Sequence, residues 1–307
     1  MRTGITRAEF LRLSAGTALL AMSPFGLGAD MGQQPVLRRA IPSSGEQLPV
    51  IGVGTYRGFD ISHNASEAWA DCRKVLEALF AAGGSVIDSS PMYGQAEEVV
   101  GGLLNELKAQ DRAFVATKVW TQGRQHGVEQ MQHSMRLLRR QRIDLMQVHN
   151  LVDWQEHLTT LRQWKEEGRI RYLGVTHYTS SAYDELERVL RAEKLDFLQI
   201  DYALNDRDAE RRILPLAQER GVAVLINRPF GGGNLLRNLL QQPLPEWAGE
   251  YGCTSWSQLL LKFCLSHPAV TCVIPGTGNP RHMLDNLQAG RGKEADQAFR
   301  GRLSQLL

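Results

Sequence analysis

The chain has 307 residues, 43% of them hydrophobic and 22% charged, with a formal net charge of +2 at neutral pH. That length suits one barrel domain or two smaller domains, and the hydrophobic content supports a large core, which excludes a disordered or collagen-like chain. No basic block is longer than Leu-Arg-Arg or Arg-Gln-Arg, so nucleic acid is not implied as a partner.

The first 29 residues differ from the rest. Arg2, Arg7 and Arg12 stand against one acid, Glu9, and a short apolar run from Leu13 to Met22 leads to small residues near Ala29. This is the basic start, apolar centre and small-residue exit of an export signal. The apolar run is about ten residues long, too short to span a bilayer, so no stable membrane span is expected. Thr6 to Arg12 resembles the twin-arginine export motif, with Ala8 where the second arginine would stand. The expected division is residues 1–29 as an export signal and residues 30–307 as one domain, in a periplasmic or exported protein. A cytoplasmic location is the alternative. Without residues 1–29 the net charge falls to zero.

Next come two short extended runs around Ser43-Ser44-Gly45, which read as a hairpin. Beyond residue 49, short apolar runs alternate with longer helical patterns. The predicted strands are Val50–Val53, Val86–Asp88, Phe114–Lys118, Ile143–Val148, Tyr172–Val175, Phe197–Ile200, Val222–Ile226 and Thr271–Ile274. Each is nearly continuous in apolar residues, as a parallel strand buried on both faces should be. The pattern from Ser66 ends at Gly83-Gly84, a helix stop. The helix near residue 183 follows Ser180-Ser181, with Glu185 a turn later, close to a capping box. A longer segment rich in Gly and Pro precedes the eighth strand and predicts a loop with a short helix. Eight strand–helix units without a flexible linker predict a single (β/α)8 barrel, an α/β fold. A doubly wound two-domain sheet is the alternative, but no Gly-x-Gly-x-x-Gly follows the first strand. The four cysteines, Cys72, Cys253, Cys264 and Cys272, form no disulfide framework and read as buried thiols, although sequence leaves a Cys253–Cys264 or Cys264–Cys272 bridge open. The scattered histidines make no metal set.

Polar residues close several of these apolar runs. Asp88 ends the second strand, Tyr93 follows it, Lys118 ends the third and His149 follows the fourth. Strand ends of that kind hold the active sites of α/β barrels. A lysine ammonium beside a phenol favours its ionised form and lowers its pKa, which makes a better proton donor to a developing alkoxide. Asp88 would hold Lys118, and His149 would act as a neutral hydrogen-bond donor.

These four segments, in order, resemble the aldo-keto reductases, over about residues 36 to 290. The resemblance implies an NAD(P)H-dependent reductase of aldehydes or ketones with Asp88, Tyr93, Lys118 and His149 as catalytic residues. It implies a hairpin plugging the barrel, and Tyr56 and Trp120 as walls of the pocket of a small-molecule carbonyl substrate. It places Thr176, His177 and Gln199 at the nicotinamide carboxamide, with Thr for the usual Ser and His for the usual Asn. Phe230 would lie on the nicotinamide face, with Gly231 and the following glycines at the pyrophosphate. The segment after the eighth strand, Gly276 and Thr277 through Arg281, Asp285 and Asn286, would hold the adenosine phosphate and adenine. Gly276 replaces a frequent lysine, and His282 stands where an arginine often grips the 2′-phosphate, with Arg281 adjacent. NADP(H) is the favoured cofactor and NAD(H) the alternative. Two other functions compete: a Schiff-base aldolase using Lys118, and a non-catalytic NADP(H) sensor. Sequence gives neither the substrate nor the oligomeric state.

Overall fold

The computed structural model describes residues 36–62 and 64–306. The export signal expected in residues 1–29 lies outside them. The described chain begins with the hairpin, where β1 (Arg38–Ala40) pairs antiparallel with β2 (Gln47–Pro49). Gly45 turns the chain with φ of 77°, a left-handed angle that glycine adopts at no steric cost.

Eight parallel strands follow: β3 (Val53–Gly54), β4 (Val86–Asp88), β5 (Phe114–Val119), β6 (Ile143–His149), β7 (Ile170–Thr176), β8 (Phe197–Asp201), β9 (Ala223–Asn227) and β10 (Val270–Val273). Each pairs with its neighbours in sequence, and the bridges Ile51↔Val273 and Gly54↔Gly276 join the two ends of the sheet. The fold is the expected (β/α)8 barrel. The first strand differs in detail. Its ladder with β4 starts only at Val53, because Val50 and Gly52 bond to Val273 on the β10 side, at 2.9 Å each.

The helices are α1 (Ser66–Ala81), α2 (Ala96–Glu106), α3 (Arg124–Leu137), α4 (Trp154–Glu166), α5 (Tyr183–Ala192), α6 (Ile213–Glu219), α7 (Asn234–Leu239), α8 (Trp256–Leu265), α9 (Pro280–Gln288) and α10 (Gln297–Ser304). Helix α1 stops where expected, with Gly83 at φ 79°. The capping box before α5 does not form. Ser180–Ala182 make one 3-10 turn, Ser181 bonds Thr179 instead, and Glu185 accepts a hydrogen bond from Trp154 Nε1 at 2.9 Å. The segment before β10 holds the short helix α7 between two 3-10 turns and then the barrel helix α8. All four cysteines are buried free thiols. Among the described residues no helix is long and apolar enough to cross a membrane.

Two apolar cores result. The larger lies between strands and helices. The smaller fills the barrel and includes Val86, Phe114, Leu145, Tyr172, Phe197 and Leu225, together with Ile41 and Leu48 from the hairpin. Strand side chains alternate faces, so the inward positions can be followed along each strand. They run Val86 to Asp88, Phe114 through Ala116 to Lys118, Leu145 through Gln147 to His149, and Phe197 through Gln199 to Asp201. Every series starts apolar at the N-terminal end and turns polar at the C-terminal end. The rings of Phe114, Tyr172 and Phe197 form the apolar layer, with centroids 5.5 to 6.0 Å apart. The hairpin seals that end. Glu46 binds Arg171 and the Tyr172 hydroxyl, the latter at 2.6 Å.

Leu48 is 1% exposed within this plug. Leu48→Ala should therefore cost about 2–5 kcal/mol of stability in urea unfolding, the usual range for such a core truncation. A cost below about 1 kcal/mol would show that the hairpin is no part of the inner core.

Candidate active site

The polar ends of the strands meet at the C-terminal mouth. Lys118 is fully buried, and its ammonium donates to Asp88 Oδ2 at 2.8 Å and to the Ser89 carbonyl at 2.7 Å. Asp88 is 2% exposed and also lies within reach of Gln147 Nε2 (3.4 Å) and Gln199 Nε2 (3.3 Å). Tyr93 stands on the loop after β4, with Lys118 Nζ 5.2 Å from its ring centroid. That loop needs Gly94: its φ is 58°, and a Cβ there would fall 2.1 Å from Asp60 Oδ1, whose carboxylate binds the Gln95 amide at 3.0 Å. Tyr93 is thus presented by a turn docked on Asp60.

His149 meets Tyr93 edge-on, with centroids 6.2 Å apart, and its Nδ1 lies 3.3 Å from Ser90 Oγ. Tyr56 and Trp120 flank the pair. Tyr56 is 5.1 Å from Tyr93, Trp120 is 6.4 Å from His149, and both rings are exposed. The sequence-predicted catalytic and wall residues therefore stand at one place.

Burial governs the charges here. It lowers His149 first, Lys118 and His177 add to the effect, and the imidazole falls to about 3, so it is neutral at physiological pH. Burial also pulls Lys118 down, but Asp88 and Tyr93 outweigh it and hold the amine above the ordinary lysine value, as an ammonium. Tyr93 departs from the sequence expectation. Burial raises its pKa, and Lys118 offsets that only in part, while Asp88 and Tyr56 push it further up. The cation makes Tyr93 less reluctant to yield its proton without bringing it below a free tyrosine.

Next to this cluster lie the residues expected to hold a cofactor. Thr176 pairs with His149 on one side and Gln199 on the other. His177 Nδ1 accepts from the Thr179 amide at 3.2 Å, so the proton of its neutral ring sits on Nε2. Phe230 is partly buried against the main core. Gly231, Gly232 and Gly233 have φ of 59°, 67° and 94°, a run of left-handed angles suited to glycine, and the amides of Gly231 and Gly233 bond to Arg228 O and Phe230 O. Gly276 bridges Gly54, and a Cβ on it would meet nothing closer than 3.6 Å, so space does not dictate the glycine. Thr277 Oγ1 accepts from the Asn279 amide at 3.0 Å. Arg281 is exposed in the first turn of α9, where the Asn279 side chain caps its amide at 2.9 Å. Asp285 accepts from Ser255 Oγ (2.8 Å) and Gln258 Nε2 (2.6 Å), and Asn286 is 3% exposed. Among the described residues no three His, Cys, Asp or Glu side chains gather as a metal set.

Sequence reasoning missed Gln147. Its signal was present, an amide two residues before His149 and on the same face of the strand. Asp201 was also missed. Burial and Asp206 raise its carboxyl to about 6, and its Oδ1 has no partner.

Comparison with known proteins gives a family and a fold. The model of the aldo/keto reductase family matches residues 50–305. The chain is 29% identical over 258 residues to a methylglyoxal reductase, YeaE, of Escherichia coli, covering 81% of this chain and 88% of that protein. It superposes with a TM-score of 0.72 on an aldo-keto reductase from Klebsiella pneumoniae in complex with NADPH, at 25% identity over 89% of this chain and 95% of the other. A Bacillus halodurans aldo-keto reductase in its holo form gives 0.71, at 24% identity over 88% and 96% of the two chains.

Because His149 is buried neutral, its folded pKa lies far below the unfolded value of about 6.5. The unfolded chain then binds the extra proton, so stability drops as pH falls from about 6.5 toward about 3. Melting temperatures of the parent and of His149→Gln between pH 7 and pH 4 should show the smaller fall in the variant. Equal falls would contradict the buried neutral imidazole.

Proposed function

The chain belongs to the aldo/keto reductase family, and we propose that it uses NADP(H) to reduce a small aldehyde or ketone to its alcohol, with Tyr93 as proton donor. The observation that carries this reading is the buried Lys118–Asp88 pair beside Tyr93, with a neutral histidine facing the same phenol.

The residues present suit a dinucleotide. Thr176 and the Nε2–H of His177 offer hydrogen-bonding groups at the mouth of the barrel, next to Gln199. Asn227 at the end of β9 has a buried Oδ1 without a partner. The glycines at 231–233 allow close approach of an extended anion, and Arg281 stands exposed at the start of α9, where helix amides favour negative charge. The NADPH complex of the Klebsiella relative supports the same cofactor here. With a nicotinamide held there, the site would have a source of hydride for the carbonyl carbon.

The protein's own part is proton supply and orientation. His149, neutral, donates a hydrogen bond that would orient the carbonyl oxygen toward Tyr93. As negative charge builds on that oxygen, the Tyr93 hydroxyl gives up its proton to it. Lys118 stabilises the phenolate left behind, and Asp88 keeps the ammonium in place. Tyr56 and Trp120 enclose the substrate from two sides. A Schiff base on Lys118 is disfavoured, because Asp88 holds that amine protonated and fully buried, and an ammonium has no lone pair for attack. The likeness to a methylglyoxal reductase makes methylglyoxal the first substrate to assay, followed by larger aldehydes, ketones and quinones.

Tyr93→Phe should lower kcat by ~10²–10⁴-fold, the usual worth of general acid catalysis, with little change in NADPH affinity. Retention of more than half the parent rate would remove Tyr93 from the mechanism. NADPH should bind more tightly than NADH, and Arg281→Ala should weaken NADPH alone in fluorescence titrations. Equal losses for the two cofactors would show that Arg281 does not read the 2′-phosphate.

A further inference from the structure

Gln147 is wholly buried inside the barrel, one inward position below His149 on β6. Its Nε2 donates to Gln199 Oε1 at 2.9 Å and lies 3.4 Å from Asp88 Oδ1. Gln199 in turn points its own Nε2 at Asp88 Oδ2, at 3.3 Å. Two amides from two strands thus flank the carboxylate that holds Lys118. The arrangement is costly, because Gln147 Oε1 is buried without a partner, and a buried polar atom left unsatisfied destabilises the fold. The register sets the neighbours of Gln147. It pairs with Lys118 on one side and with Gly174 on the other. Gly174 itself has no space for a side chain, since a Cβ there would fall 2.5 Å from Phe197 O. An apolar residue at 147 would continue the adjacent layer of Leu145, Tyr172 and Phe197, but it would take the donor from Gln199 Oε1 and Asp88 Oδ1. Packing does not ask for an amide at this position.

We propose that Gln147 is a positioning residue for the reduction: its amide holds Asp88 and Gln199 in one hydrogen-bonded unit and so sets the acid strength of Tyr93 through Lys118. This rests on the reading of Tyr93 as the proton donor. The donor on Oδ1 spreads the charge of Asp88, so that Lys118, bound on Oδ2, is shared between Asp88 and the phenol. Without it, the carboxylate draws the ammonium more strongly and acts more strongly on Tyr93. Both changes favour the protonated phenol. The groups facing Tyr93 are Asp88 from β4, Lys118 from β5, Tyr56 from the loop after β3 and His149 from β6. Asp88 already pushes the phenol up and Lys118 pulls it down, which fixes the direction of the effect.

The test is the pH dependence of kcat in Gln147→Leu, with Gln147→Met as the more adaptable replacement should leucine not fit. We expect a roughly tenfold lower kcat, an unchanged KM for the carbonyl, and a basic limb displaced to higher pH. The melting temperature does not discriminate, because the substitution removes the orphaned Gln147 Oε1 and at the same time leaves Gln199 Oε1 without its donor. A merely structural role would leave the pH limb in place, and that result would overturn the proposal, as would a folded variant with parent kcat. Tyr93→Phe assayed alongside separates the two claims. If it keeps parent activity, the proton-donor reading fails. If it is inactive while Gln147→Leu and Gln147→Met behave as the parent, only the role of Gln147 fails.

Discussion

A lysine ammonium with no exposure to water is the constraint around which this barrel is arranged. Taking such an ion out of water costs several kcal/mol unless it is paired and hydrogen-bonded. Lys118 meets that cost with Asp88 at 2.8 Å and the Ser89 carbonyl at 2.7 Å. Asp88 must itself be satisfied, and the donors within its reach come from three different strands, Lys118 on β5, Gln147 on β6 and Gln199 on β8. No pair of neighbouring strands could supply all of them. A closed barrel does, because its inward positions converge on one axis.

The same convergence explains how the interior is layered. The N-terminal half of the lumen is apolar, closed by Ile41 and Leu48 of the hairpin, and it excludes water from beneath the charged pair. A drier surrounding strengthens the effect of Lys118 on Tyr93, but it also raises the proton affinity of the phenol directly, and the second effect is the larger. His149 responds to the same environment in the opposite sense and loses its proton. One cause, burial, thus leaves both Tyr93 and His149 as neutral hydrogen-bond donors, with the ammonium of Lys118 as the nearby fixed charge. Those are the groups needed to polarise a carbonyl and then protonate its oxygen.

Around Gly231–Gly233 and Asp285 the contacts are of other kinds. Gly231–Gly233 form a tight turn whose amides at Gly231 and Gly233 already bond within the turn. Asp285 is tied to the start of α8 through Ser255 and Gln258. The turn is closed by residues three apart in the chain, whereas Asp285 joins two helices through residues 30 and 27 positions away. Asp285 therefore bridges α8 and α9 before any ligand is considered, a role that spacing along the chain gives no means of seeing.

What the sequence determined by itself follows from local chemistry. Buried parallel strands must be apolar, so eight runs were visible, and a polar residue at the end of such a run has few explanations, so Asp88, Lys118 and His149 stood out. Gly83 and Gly45 marked a helix stop and a turn because few other residues adopt their angles readily. The tertiary structure decided what depends on distance and burial. The first strand lost residues to β10, and Ser180-Ser181 gave up a cap for a 3-10 turn, because competing partners lie far away in sequence or start the helix later. The direction of the Tyr93 shift needed the depth of burial, which no spacing of residues encodes. Gln147 needed the barrel to close, since only then does an amide on β6 lie beside a carboxylate on β4 and an amide on β8.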